Sequence, residues 1–233
     1  MEFKPIFYAY LVLCVIVFFE VLITIKKNSL LKICFLLIIA SLFVMNYFSY
    51  ISVTSRLQFV LVKCMRLIYV CSTMIAVIHL TTPKIPRWII AAIIIFSFFL
   101  IGLRIFNFNE IAIETKEPFS SHIFSVGPEF STPYPFARYA VFLLATLVTA
   151  LTFYYYRKFI LKMNKEEIYY KQFYRWIISM VIPFFLLVIF GVFGTLQIVD
   201  ESLSPYLFSL FSGITIFSIL FRPKLLNTTS YSQ

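Results

Sequence analysis

The chain has 233 residues and a formal net charge of +10, and 61% of its residues are hydrophobic whereas only 13% are charged. A soluble domain is nearer half apolar and a disordered chain is poorer still in apolar residues, so both classes are excluded. The charges cluster between long apolar segments, each close to the roughly 20 residues that a helix needs to cross a bilayer. The composition predicts an all-α integral membrane protein whose main partner is the lipid bilayer.

Seven apolar segments follow one another, and we predict one transmembrane helix in each, which together form a seven-transmembrane-helix bundle. The predicted spans are 6–25, 30–51, 59–80, 88–106, 137–156, 176–198 and 206–221. Helices are expected because lipid cannot satisfy backbone polar groups, and no segment shows the two-residue alternation of barrel strands. The predicted division is a transmembrane domain, 1–222, with a long outer loop at 107–136, followed by a short cytoplasmic tail, 223–233.

The distribution of Lys and Arg predicts the orientation of the bundle. Thirteen cations lie in one set of connections and five in the other, and two more lie inside the third span. The larger set is Lys26, Lys27, Lys32, Lys84, Arg87, Arg157, Lys158, Lys162, Lys165, Lys171, Arg175, Arg222 and Lys224; the smaller is Lys4, Arg56, Arg104, Lys116 and Arg138. Because cation-rich loops face the cytoplasm, we predict the N-terminus outside and the C-terminus inside. Topology accounts for the positive charge, so no direct nucleic-acid binding by this chain is predicted.

The third span contains Lys63 and Arg66, and ionisable groups inside a membrane mark a candidate functional site. Tyr69 and Thr73 continue the same face at helical spacing, which indicates a polar stripe that faces protein or water. We predict that Asn46 and Tyr50, near the outer end of the second span, lie beside this stripe.

These six residues predict an outer pocket that binds an anionic or polar small molecule. The sequence leaves one alternative open, in which Lys63 and Arg66 reach outward to lipid phosphates and only set the depth of the helix.

Two further features carry structural predictions. Glu20, near the inner end of the first span, matches Lys32 in depth, and we predict a structural ion pair between them. Pro183 lies in the inner half of the sixth span, where proline removes a backbone hydrogen bond and kinks a helix. It is a candidate signalling hinge, although proline is also common in membrane helices without such a role.

The sequence offers no recognisable catalytic or metal-binding constellation. Its two histidines, His79 and His122, are predicted at opposite membrane faces, and the four cysteines all lie in apolar segments. Neither metal-ligand spacing nor a serine–histidine pair at one depth is present. We therefore predict no enzyme activity, no cofactor and no metal.

The last span runs into the stretch LFRPKLLN, in which Arg222, Pro223 and Lys224 stop the helix at the predicted cytoplasmic face. With the multi-span pattern, this junction resembles that of the membrane-bound AraC-type regulators of Bacteroidetes. In that family an N-terminal multi-span domain precedes a cytoplasmic helix-turn-helix domain, of which residues 1–233 show no sign. The resemblance implies a sensor domain in a bacterial inner membrane, whose partner is a cytoplasmic regulatory domain or protein.

We predict a sensor or receptor-like domain that detects an extracytoplasmic or membrane small molecule and signals to a cytoplasmic output. The alternatives are a small multi-span transporter or permease component and a non-catalytic membrane anchor subunit. Transporters commonly contain repeated halves or helices broken at the midplane. Here proline and glycine interrupt only the sixth span, which favours the sensor.

Overall fold

A computed structural model of the protein describes the residues 4–51, 55–81, 87–106, 143–144, 146–147, 150–151, 154, 175–186, 189 and 204–222. The helices are α1 (Lys4–Thr24), α2 (Ser29–Ile51), α3 (Arg56–Thr81), α4 (Arg87–Phe106), α5 (Arg175–Leu186) and α6 (Ser204–Leu220). The described residues between 143 and 154 are also helical. The prediction of an all-α protein is thus confirmed for the described part of the chain, whereas the predicted loop 107–136 and tail 223–233 lie outside it.

Three of the helices are long and apolar enough to cross a membrane. Their apolar windows are Phe7–Thr24, Ser29–Phe48 and Val60–Leu80. α1 shows most clearly what such a helix presents to lipid, because one entire side of it consists of exposed apolar side chains. These are Tyr8, Val12, Val15, Ile16, Phe19, Leu22 and Ile23. A bilayer would cover this surface, as the composition predicts.

Local capping explains where α2, α3 and α6 begin. Asn28 Oδ1 accepts a hydrogen bond from the Leu31 backbone N–H at 3.1 Å, which makes Asn28 the N-cap of α2. Ser55 and Gln58 form a reciprocal capping box at the start of α3, with bonds of 3.2 and 3.1 Å. Pro205 occupies the first turn of α6, where its missing N–H costs no helical hydrogen bond.

Asn28 also fixes the direction of α3 relative to α2. Its Nδ2 donates to Nε2 of His79 at 3.0 Å, so this ring nitrogen carries no proton. The start of α2 therefore lies beside the end of α3, and the two helices run antiparallel. α2 lies at the centre of the described bundle, because it packs against α1, α3 and α6.

We call the end of the bundle where α1 begins the upper end and the end where α1 stops the lower end. α2 returns to the upper end and α3 runs down again. Ser97 of α4 contacts Cys71 of α3, and each lies ten residues from the connection between these helices. This symmetry indicates an antiparallel hairpin, so α4 ends at the upper end.

The last two helices also have defined directions. Tyr10 of α1 and Ser212 of α6 share a hydrogen-bond partner near the upper end, and Glu20 contacts Arg222 near the lower end. α6 is therefore parallel to α1. Trp176 Nε1, at the start of α5, donates to the Ser218 carbonyl near the end of α6 at 2.6 Å, so α5 begins at the lower end and runs upward.

Candidate functional site

Polar side chains of three helices meet at Asn46, which is 1% exposed. Its Nδ2 lies 3.0 Å from the hydroxyls of Tyr10 and Ser212 and 2.9 Å from the Leu42 carbonyl, so its two hydrogens are shared among three acceptors. Its Oδ1 accepts from the Ser209 hydroxyl at 2.9 Å. We call Tyr10, Asn46, Ser209 and Ser212 the upper cluster, because it joins α1, α2 and α6 in the upper half of the bundle.

The upper cluster determines which helix faces meet. Leucine packs nearly as well against lipid as against protein, so apolar contacts alone discriminate weakly between helix rotations inside a membrane. A hydrogen bond between membrane helices contributes about 0.6 kcal/mol on average and up to about 1.7 kcal/mol. The Asn46 oxygen has its donor only when α6 presents Ser209 to it, and Tyr10 of α1 offers one of the acceptors for the amide hydrogens, so these bonds favour one rotation of each helix.

A second polar group lies at the lower end. Arg222, whose side chain is 1% exposed, forms an ion pair with Glu20, whose side chain is 29% exposed. The arginine binds both carboxylate oxygens, with NH1 at 2.6 Å from Oε2 and NH2 at 3.0 Å from Oε1. NH2 also donates to the Thr24 hydroxyl. We call Glu20, Thr24 and Arg222 the lower cluster.

Arg222 also terminates α6. Its NH1 donates to the Ile219 carbonyl at 2.9 Å, one of the carbonyls that lack a partner at a helix end. A cation at a helix C-terminus is further favoured by the helix dipole. One side chain therefore closes the last helix and attaches it to the first helix.

The upper and lower clusters are separated by the same number of residues on α1 and on α6. Ten residues separate Tyr10 from Glu20, and ten separate Ser212 from Arg222. At a rise of about 1.5 Å per residue, this distance is about 15 Å along each helix axis. We call the two clusters together the polar seam. Because it holds α1 and α6 in one register at both ends, neither helix slides along the other without breaking hydrogen bonds.

The prediction that Glu20 pairs with Lys32 is wrong. The carboxylate binds Arg222 instead, while Lys32 is half-buried in the first turns of α2. Predicted depth favoured Lys32, because Arg222 follows the end of the predicted seventh span, but α6 brings Arg222 directly alongside Glu20. The guanidinium then offers a planar pair of donors that fits a carboxylate, whereas a lysine extends its ammonium to water more readily.

The predicted stripe on α3 is a continuous helix face that becomes more buried towards the middle of the bundle. Lys63 and Arg66 are half-buried, whereas Tyr69 is 3% and Thr73 1% exposed. The Thr73 hydroxyl donates to the Tyr69 carbonyl at 2.8 Å, and the Tyr69 ring packs on Phe184 with ring centroids 5.6 Å apart. Ligand binding by this stripe stays a prediction.

The remaining predicted residues have different surroundings. Asn46 directs its amide towards α1 and α6, and its role in ligand binding stays a prediction. The side chain of Tyr50 lies outside the described residues. Pro183 is buried within the helical residues of α5, and its role as a hinge also stays a prediction.

Sequence reasoning included Asn46 and Glu20 among its candidate residues but omitted the other five seam residues, which are Tyr10, Thr24, Ser209, Ser212 and Arg222. A usable signal existed for two of them, because Ser209 and Ser212 lie three residues apart and therefore share one face of a helix. No protein-family model and no curated protein matches this chain. The functional argument therefore proceeds from the geometry of the polar seam and of the α3 stripe.

Glu20→Gln tests which cation pairs with Glu20. This substitution keeps the side-chain volume but leaves the Arg222 guanidinium buried without a counter-charge. Hydrogen bonds to charged groups contribute about 1.5–3 kcal/mol, and about 1 kcal/mol corresponds to 2–4 °C for a chain of this size. We expect the midpoint of thermal unfolding in detergent to fall by several degrees.

Lys32→Gln is the matched control for Glu20→Gln. It removes one cation from the start of α2, and because Lys32 is not a partner of Glu20 we expect a change within the roughly 0.5 kcal/mol typical of substitutions away from buried networks. A large loss with Lys32→Gln and none with Glu20→Gln would contradict the lower cluster and restore the lysine pairing.

Proposed function

We propose that this protein is a sensor domain of a bacterial inner membrane, which crosses the bilayer seven times and signals from outside to inside. It detects a small anionic or polar molecule near its upper end and passes the signal through α6 to the cytoplasmic side. The observation that carries the proposal is the polar seam. A displacement of α6 at the upper cluster reaches Arg222, where the helix ends, because α6 is bonded to Asn46 of α2 at its upper end and to Glu20 of α1 at its lower end.

The helix directions support seven crossings. α4 ends at the upper end and α5 begins at the lower end, so we propose one further crossing by the chain between them. The helical residues at 143–154 lie within that stretch. One crossing by these residues, together with one by each of the six helices α1 to α6, gives seven crossings. The excess of cations in the connections at the lower end then supports a cytoplasmic lower face.

The α3 stripe supports a polar or anionic ligand. Lys63 and Arg66 lie near the upper end of α3, and their half-burial places them between the surface and the core. Cations at that depth attract anions and repel cations across a low-dielectric boundary. α3 packs against α2, and α2 supplies Asn46 to the upper cluster. A ligand at the stripe thus lies one helix away from the seam.

The junction at Arg222 supports a cytoplasmic output. The sequence after it resembles the point at which the AraC-type regulators pass from membrane domain to helix-turn-helix domain. Within the proposal, the lower cluster holds this junction in one position relative to α1. A ligand that rotates or shifts α6 changes that position, and a cytoplasmic partner attached to the junction detects the change.

Reporter fusions test the proposed orientation. We expect a fluorescent protein fused after Gln233 to be bright and alkaline phosphatase at the same position to be inactive, because phosphatase matures only outside the cytoplasm. Phosphatase inserted after Lys116, in the predicted outer loop, is the control and should be active. An active phosphatase after Gln233 would overturn the orientation and with it the cytoplasmic output.

A transcription-factor fusion tests sensing. A helix-turn-helix domain without its own sensor, fused after Gln233, would drive a reporter gene in cells exposed to inorganic phosphate, short-chain carboxylates or acidic amino acids. We expect one of these anions to change reporter output. The double substitution Lys63→Gln and Arg66→Gln should raise the anion concentration needed for a half-maximal response about 5- to 150-fold, which corresponds to a typical coupling free energy.

Lys4→Gln is the matched control for this sensing test, because it removes a cation from the same predicted face and should leave sensitivity unchanged. Uptake of the same anions into vesicles, dependent on Lys63 and Arg66 and without any reporter response, would contradict the sensor and support a transporter.

A further inference from the structure

Positive charge collects beside the lower cluster without a carboxylate to balance it. Four basic side chains near this cluster reach the surface, and we call them the lower patch. They are the exposed Lys26, Lys27 and Arg175 and the half-buried Lys32. Glu20 is the only carboxylate in the part of the chain that the structure describes, and both of its oxygens bind Arg222. No described carboxylate is therefore left to neutralise the lower patch.

The start of α2 holds three members of the lower patch close together. Lys26 and Lys27 lie in the connection between α1 and α2, directly before the N-cap residue Asn28. The Lys32 backbone N–H donates to the Asn28 carbonyl at 3.0 Å, so Lys32 stands one helical turn beyond the connection. These three cations therefore belong to one short segment of the lower end.

A ring contact between α2 and α5 adds Arg175 to this group. Arg175 begins α5, and Trp176, which follows it, packs edge-on against Phe35 with ring centroids 6.1 Å apart. Phe35 lies in the turn of α2 directly above Lys32. The Trp176 indole also donates to the Ser218 carbonyl of α6. The start of α5 thus has a fixed position beside the start of α2.

The lower patch borders the side of α1 that faces lipid. Leu22 and Ile23 are 41% and 66% exposed and end the apolar surface of this helix. α1 itself ends at Thr24, and Lys26 and Lys27 follow within the length of one turn. Lysine at the end of a membrane helix lays its stem along apolar surface and places its ammonium group at the interface. The two lysines therefore lie where hydrocarbon gives way to lipid phosphates.

We propose that the lower patch binds the headgroup of an anionic phospholipid. The phosphate accepts charge-assisted hydrogen bonds from Lys26 and Lys27, while Lys32 and Arg175 add to the positive potential that retains it. The acyl chains cover the exposed side of α1, so a lipid fits this surface better than a free phosphate does. The inference is independent of the sensor proposal, because it requires only that α1 borders the bilayer.

Native mass spectrometry of the full chain, released from an uncharged detergent, tests the lipid site. With phosphatidylglycerol and phosphatidylcholine added in equal amounts, we expect phosphatidylglycerol to be retained in preference. Lys26→Gln and Lys27→Gln should each weaken phosphatidylglycerol binding about fivefold, the effect of one cation near an anionic membrane surface, and leave phosphatidylcholine binding unchanged. Equal retention of the two lipids by the wild-type protein would overturn the proposal.

Two controls separate this site from a general attraction of anions to a basic protein. Arg87→Gln removes an exposed cation from the same end of the bundle, but on α4, which packs against α3, and should leave phosphatidylglycerol binding unchanged. The double variant Lys26→Arg and Lys27→Arg keeps both charges and should bind phosphatidylglycerol as the wild type does. A loss with Arg87→Gln as large as that with Lys27→Gln, or equally tight binding of water-soluble glycerol phosphate, would contradict the lipid site.

Discussion

The bidentate bond between Arg222 and Glu20 is the interaction on which the arrangement of this bundle depends. A buried guanidinium without a counter-charge is among the most unfavourable groups that a membrane protein can contain. α6 must therefore lie against the side of α1 that carries Glu20, with its C-terminus at the lower end. The same side chain binds the Ile219 carbonyl, so the place where the helix stops and the place where it docks are determined together.

The upper cluster gives this docking its second fixed point. A single ion pair would leave α6 able to pivot about its lower end, but Asn46 holds the Ser212 and Ser209 hydroxyls about 15 and 20 Å away. Two fixed points on parallel helices define both rotation and register. Apolar contacts then fill the space between them, with buried side chains such as Val17 and Ile216. Our functional proposal uses this connection, because a displacement at the upper end of α6 is carried to its lower end.

The helices themselves could be predicted from the sequence, because a lipid environment requires membrane-spanning segments to be long and apolar. An apolar segment of sufficient length between charged connections becomes a helix, and local caps such as Asn28 and the Ser55–Gln58 pair set the boundaries. The face of α3 that carries Lys63 and Tyr69 followed from helical spacing for the same reason. These predictions needed only information that is local in the chain.

The partners of the polar residues could not be predicted in this way. Hydropathy gives the depth of a side chain but not the direction in which its helix turns it, and depth alone led to Lys32 rather than Arg222 as the partner of Glu20. Asn46 was predicted to lie beside the α3 stripe in a ligand pocket, whereas its described hydrogen bonds to other helices run to α1 and α6. Choosing among neighbours requires the packing of helices that lie far apart in the chain, and only the structure supplies it.

Cysteine cross-linking between α1 and α6 tests the central claim most directly. In a variant whose four native cysteines are replaced by alanine, the account predicts that Tyr10→Cys cross-links to Ser212→Cys and Glu20→Cys to Arg222→Cys in native membranes. The crossed pairs, Tyr10→Cys with Arg222→Cys and Glu20→Cys with Ser212→Cys, are about 15 Å apart along the helices and should not react. Efficient cross-linking of the crossed pairs, without the matched pairs, would show antiparallel helices and contradict the polar seam.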